Sequence, residues 1–135
     1  MVGFPGEDEK DFEATLNLLT EIRLTSVNVF MFSMRKGTPA YRNYSDDVPL
    51  IIKEERQSRV HSLISSIRKE TEYKLIGTRQ HIIVESKDKD SRWWFGRDMS
   101  HRTIYFSSKS VNVGEQCDII IRKIESEKLY GELCL

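Results

Sequence analysis

The spacing of apolar residues changes at Gly77, and that change limits what the chain can become. Before Gly77 most apolar positions recur at helical intervals. After it they fall into short runs at residues 80–85, 92–97, 103–106, 116–124 and 129–133. Polar or glycine-containing turns separate the runs, among them 87–91 and Val113-Gly114-Glu115. Five short strands in about sixty residues predict a small β-barrel.

The residues before Gly77 read differently. Two turns built of Gly and Pro, Val2-Gly3-Phe4-Pro5-Gly6-Glu7 and Ser33-Met34-Arg35-Lys36-Gly37-Thr38-Pro39-Ala40, lie about thirty residues apart. Between them Asp8 is a candidate N-cap, and Glu9, Asp11 and Glu13 place negative charge where a helix dipole favours it. Phe12, Leu16, Leu19 and Ile22 follow at helical spacing, with Leu18 beside them. Residues 26–32 are apolar at nearly every position, which predicts a strand buried on both faces. Strand end, loop, helix, strand, loop is one unit of a βα barrel, and in such barrels the loops after the strands carry the chemistry. The first loop stands at the very start of the sequence, so the chain reads as the tail of a larger enzyme divided within its catalytic domain.

A polar loop is expected over 33–48. Pro49, preceded by Asp46 and Asp47, then marks a helix start. That helix is expected to run to about Tyr73 and to span about 35 Å. Its apolar stripe, Val60, Leu63, Ile64 and Ile67, occupies only the second half, and Lys53, Arg56, Arg59 and Arg68 make much of it basic. A long helix of this kind often connects two domains.

Composition narrows the function classes. The 135 residues carry 21 basic and 21 acidic side chains, so no global charge pulls the chain toward nucleic acid or membrane. Any nucleic-acid site must be a local patch. No apolar run approaches a membrane span, and no basic stretch followed by an apolar one opens the sequence. Cys117 and Cys134 are far apart in sequence and lack metal-site spacing, which fits a reduced, cytoplasmic setting.

Three groups of residues carry chemistry or plain structure. Gly3-Phe4-Pro5-Gly6-Glu7 brings backbone close to a ligand and ends at a helix N-terminus that receives carboxylate or phosphate; it serves equally as a strand-to-helix turn. In the second loop Arg35 offers a planar fork of donors, with Ser33 and Thr38 beside it; a solvated basic loop accounts for the same residues. The third group is Arg92-Trp93-Trp94-Phe95-Gly96-Arg97 with His101, Arg102, Tyr105 and Lys109. Cations attract phosphates and aromatic faces stack on unpaired bases. Alternation is read as placing Trp93 and Phe95 on one face, in the barrel core, and Trp94 with Arg92 and Arg97 on the other, at the surface. His61, His81 and His101 have no carboxylate or cysteine at ligand spacing, and no metal site is expected.

Joined in order, these pieces resemble one family. Gly3-Phe4-Pro5-Gly6-Glu7, Asp11-Phe12, Ser33-x-Arg35-x-Gly37-Thr38-Pro39-Ala40, Val48-Pro49 and Lys53-Glu54-Glu55-Arg56 resemble the C-terminal part of the radical S-adenosylmethionine methylthiotransferases. The nearest likeness is to the tRNA enzymes that add a methylthio group to an N6-modified adenosine beside the anticodon. The β segment is similar to the TRAM domain that ends those enzymes, through Leu75-Ile76-Gly77, Val84-Glu85, Gly96-Arg97, Gly114-Glu115 and Leu129-Tyr130-Gly131-Glu132.

The resemblance implies an α+β chain in three parts: a remnant of a βα (radical SAM) barrel over 1–48, a linker helix over 49–73, and an OB-like TRAM barrel over 74–135. It implies cofactor-facing roles for Gly3, Pro5, Gly6, Glu7, Ser33 and Arg35, and RNA contact through Arg92, Trp94, Arg97, Arg102 and Lys109. The expected partner is the anticodon stem-loop of tRNA. Members use 4Fe-4S clusters, one of them bound through CxxxCxxC, and S-adenosylmethionine. This sequence has no such motif, so the chain alone is expected to hold no cofactor and to be inactive. Apolar surface left open at 26–32 and on the first helix predicts self-association, or a loose N-terminal third beside a folded barrel. A free-standing RNA-binding module and a protein-interaction domain are the alternatives.

Overall fold

The computed structural model describes residues 1–88 and 92–134, which form two compact units, Met1–Arg68 and Lys69–Leu135. In the first, α1 (Glu9–Ile22) starts at Asp8, whose carboxylate accepts the Asp11 N–H at 2.8 Å while the Asp11 carboxylate accepts the Asp8 N–H at 3.2 Å. This reciprocal cap satisfies two donors that a helix start leaves unpaired. Arg23, in the left-handed region, ends the helix by donating its N–H to the Leu19 carbonyl. Phe12 and Leu19 are buried and Leu16 partly so, whereas Leu18 and Ile22 stay exposed.

Residues 26–32 depart from the expected doubly buried strand. They are extended, but their only ladder among the described residues is a single parallel bridge, Val2 to Met31. The Val2 N–H donates to Phe30 and the Phe32 N–H donates to Val2, at 2.9 and 2.8 Å. Val27, Val29 and Met31 turn inward with Val2 and Phe12, while Phe30 remains 67% exposed. Burial on both faces needs a packed layer against each. The inner face meets Phe12, Leu19, Val60 and Ile64, while Ser26, Asn28 and Phe30 on the other face stay exposed.

The expected polar loop over 33–48 contains a short helix, α2 (Pro39–Asn43). Thr38 caps it by accepting the Tyr41 N–H, and Pro39 sits where no helical donor is needed. The Thr-Pro pair carried that signal. Next, α3 (Leu50–Tyr73) begins as expected, with Pro49 accepting from Ile52 and Lys53. Its Val60 and Ile64 join the core of the first unit.

The second unit is a closed barrel in the order β1-β2-β3-β5-β4. The strands are β1 (Arg79–Lys87), β2 (Trp93–Asp98), β3 (Thr103–Ser107), β4 (Gln116–Glu125) and β5 (Lys128–Leu133). All five match the alternating runs in the sequence to within two residues at either end. The turn expected over 87–91 lies partly outside the described residues. Every pairing is antiparallel except β3 with β5. Ile82, Ile104, Phe106, Ile119 and Ile121 are fully buried at the centre.

Two glycines let the strands close. A Cβ on Gly96 would lie 2.3 Å from the Ile83 carbonyl oxygen, and one on Gly131 would lie 2.3 Å from an Ile119 methyl and 2.6 Å from the Ile120 carbonyl oxygen. Both positions point inward, at the crossings with β1 and β4.

Candidate nucleic-acid interface

The two loops of the first unit are held by side chains of that unit, above all from the start of α3. Pro5 and Gly6 occupy the centre of a turn closed by the Glu7 N–H on the Phe4 carbonyl, and Gly6 takes φ +84°, which favours glycine. Gly3 has φ +73° and lies against the Lys53 stem, where a Cβ would come within 2.4 Å. Glu7 accepts the Gly3 N–H at 2.5 Å and an Arg56 N–H at 2.8 Å. Arg56 also donates to the Glu7 carbonyl at 3.0 Å, and its guanidinium lies 5.4 Å from the Phe12 ring. Lys53 is buried, pairs with Asp46 and donates to the Phe32 carbonyl at 3.2 Å. The basic side chains at the start of α3 therefore clamp both loops. The burial of Lys53 and Arg56 was not legible in a sequence with an apolar stripe only further along.

Of the six loop residues, Gly3, Pro5, Gly6 and Glu7 thus build the turn itself. Ser33 and Arg35 instead face an apolar groove of about 810 Å³, with Met1, Phe4, Phe30 and Leu50 among its walls. Thr38 and Gln57 line the same groove.

On the barrel the expected assignment of faces is reversed. Gly96 must face inward because β1 crosses it, and alternation then turns Trp94 and Asp98 in and Trp93, Phe95 and Arg97 out. Trp94 packs against the core, and its indole N–H donates to the Ser108 carbonyl at 3.2 Å. The outer face carries four rings. Trp93 meets Tyr130 edge-on with centroids 5.1 Å apart, Tyr105 lies 5.5 Å from Tyr130, and Phe95 lies 5.8 Å from Tyr105.

Arg92 lies over Trp93, Lys128 over Tyr105 and Lys123 over Tyr130, at 5.3, 5.0 and 5.2 Å. Lys123 also pairs with Glu125, whose pKa is held down by that hydrogen bond. Arg97 is on the same outer face and reaches Glu85 at 3.4 Å, and Lys109 is exposed. Arg102 is committed elsewhere. Its Nε donates to the buried Asp98 carboxylate at 2.6 Å, and Asp98 also accepts the Ser100 and Arg102 backbone N–H groups. Arg102 thus shapes the turn after β2. Tyr130, Lys123 and Lys128 were missed because they lie far along the chain. The parity of β2 is fixed by Gly96, whose inward position comes from its contact with the Ile83 carbonyl in the closed barrel.

A separate pair sits on β1 and β4. His81 Nδ1 is 2.8 Å from Asp118 and Nε2 is 3.2 Å from Gln116, and these hydrogen bonds raise its pKa above the usual 6.5. A raised folded-state value means that protonation favours the folded state. This contribution is complete below about pH 6.5 and is lost as pH rises through the folded-state midpoint. Titration of the His81 ring by NMR is expected to show a midpoint above 6.5 that falls in Asp118→Asn; an unchanged midpoint in that variant would remove Asp118 as the cause.

Among the described residues no group of three or more His, Cys, Asp and Glu side chains is placed to hold a metal. Cys117 and Cys134 both belong to the barrel unit, and burial pushes the Cys117 thiol above its ordinary pKa. Two cysteines, one of them disfavoured as thiolate, do not fit an iron–sulfur cluster, which is held by thiolates. Nor is any helix of the described residues long and apolar enough to cross a membrane.

No family model matches the sequence. Similar curated proteins do. The chain is 35% identical over 133 residues to a tRNA-2-methylthio-N(6)-dimethylallyladenosine synthase of Fervidobacterium nodosum, covering 98% of the chain and 31% of that protein. It is 37% identical over 133 residues to the synthase of the same name from Pseudothermotoga lettingae, covering 98% and 30%. Against the one from Geotalea uraniireducens it is 36% identical over 134 residues, covering 99% and 30%. The chain thus spans about three-tenths of the length of these relatives. The matched stretch covers nearly the whole chain, both loop motifs and the barrel included, and the chain belongs to the methylthiotransferase family.

Proposed function

We propose that the chain is the C-terminal portion of a tRNA methylthiotransferase, in which an OB-like TRAM barrel holds the anticodon stem-loop. The rest of the enzyme then methylthiolates an N6-modified adenosine beside the anticodon. The match of nearly the whole chain to synthases named for that product carries the reading. The parallel bridge from Val2 to Met31 across α1 supports it, since strand, helix and parallel strand are the repeating unit of a βα barrel. In the whole enzyme the apolar edge around Phe30 and Leu50 would be covered by the remaining barrel.

This chain's own residues do not supply the thiolates for a cluster, so no methylthio transfer is assigned to it alone. Its part is to bind and position RNA. The test is binding of a tRNA anticodon stem-loop at two salt concentrations, by the chain and by an Arg92→Glu/Arg97→Glu/Lys109→Glu variant. Arg102 is left intact because it holds the Asp98 turn. Affinity is expected to fall with salt, as released counterions require, and to be lost in the variant. Absence of binding at low salt, or binding indifferent to salt, would overturn the RNA-holding role and favour a protein partner for the barrel.

A further inference from the structure

The outer face of β2, β3 and β5 has an order that a generic basic patch lacks. Phe95 is in register with Tyr105, Tyr105 with Tyr130, and Tyr130 with Lys123. Three rings therefore stand in one row across three strands, and a cation ends the row on β4. Trp93 packs on Tyr130 beside the row. All four aromatic residues are partly buried, so each keeps some of its ring at the surface of this one face.

Arg92, Lys123 and Lys128 lie over three of the rings at 5.0–5.3 Å. The contacts place positive charge on the same face as the rings. Cations set among aromatic faces suit a chain that alternates phosphate with flat base, and every base has a face that stacks. A duplex keeps its bases stacked on one another and offers mainly phosphates and sugar edges, so it has less use for the rings. An acidic protein segment would satisfy the cations but leave the ring row unused.

We infer that this row is a stacking platform for unpaired bases of single-stranded RNA, with Arg92, Lys123 and Lys128 taking the flanking phosphates. The inference rests on the reading of the barrel as an RNA-holding module, and goes further by assigning the face and the unpaired state of the RNA. It shifts the weight of recognition from Trp94 to Trp93, Tyr105 and Tyr130.

The full chain carrying Trp94→Phe keeps Trp93 as its single tryptophan and retains an aromatic ring at the core position. A short single-stranded oligoribonucleotide and the same strand annealed to its complement are titrated into it, with Trp93 fluorescence as readout. Quenching by the single strand is expected, with the duplex binding about tenfold or more weakly. Tyr105→Leu and Tyr130→Leu, which keep an apolar side chain, are each expected to weaken single-strand binding about tenfold while leaving the circular dichroism of the barrel unchanged.

If RNA binds with salt dependence but without quenching, or the two leucine variants bind as well as the parent, the stacking platform is overturned and the RNA-holding role stands. Equal affinity for single strand and duplex overturns the platform in the same way. If neither RNA binds at low salt, both the platform and the RNA-holding role fail, and a protein occupant takes their place.

Discussion

Arg56→Met is expected to destabilise the first unit by about 3–5 kcal/mol, the range for removing one partner of a buried ion pair. The Arg56 side chain is 6% exposed and that of Glu7 13%. Methionine fills much of the same space and keeps the contact with Phe12, so little of the loss would come from packing. What goes is the charge opposite Glu7 and the donor to the Glu7 carbonyl, leaving a carboxylate with the Gly3 N–H as its remaining close partner in the turn. Urea denaturation followed by amide exchange of the 1–68 unit would report the change. The double variant Glu7→Gln/Arg56→Met is expected to recover part of it, because the uncompensated charge disappears. A loss below about 1 kcal/mol in the single variant, the range of exposed pairs, would show that Arg56 does not anchor the turn.

Gly131→Ala is the corresponding probe of the barrel. The added methyl would meet the Ile120 carbonyl oxygen at 2.6 Å and an Ile119 methyl at 2.3 Å. Backbone of β4 cannot retreat without breaking its ladder with β5, so relief must come from distortion of both strands. Overpacking of this kind costs about 1–3 kcal/mol, and more where the obstacle is backbone. Thermal unfolding monitored in the near ultraviolet is expected to show a large drop in midpoint. Val113→Ala, at a side chain 66% exposed, is expected to stay within about 0.5 kcal/mol of the parent. Parity between the two variants would mean that the β4–β5 crossing is looser than its geometry.

These two sites show what the sequence made visible. The strands after Gly77 were legible because alternation over short runs is a local signal, and their glycines were visible as turn or strand marks. What Gly96 does was not visible, since its reason is a carbonyl on β1 that only the closed barrel brings near. That one inward glycine sets which way Trp93 and Trp94 point, so reading the tryptophans without it reversed the face. Residues 26–32 misled for a related reason. Their composition speaks of burial, but the extent of burial depends on which elements pack against each face. Lys53 and Arg56 looked like the solvent side of a helix, and their carboxylate partners lie 7 and 49 positions away.

The parallel pairing of β5 with β3 has a consequence for how the barrel comes into being. β5 lies between β3 and β4 in the sheet although it is the last of the five in the sequence. During synthesis, β1, β2, β3 and β4 can pair where they are neighbours, but the gap between β3 and β4 stays open until Lys128–Leu133 has emerged. Until then two strand edges are unpaired, and such edges are where a nascent chain meets its own copies. The six residues of β5 are thus a latch rather than an edge, and the barrel acquires its cooperativity only when that last segment inserts.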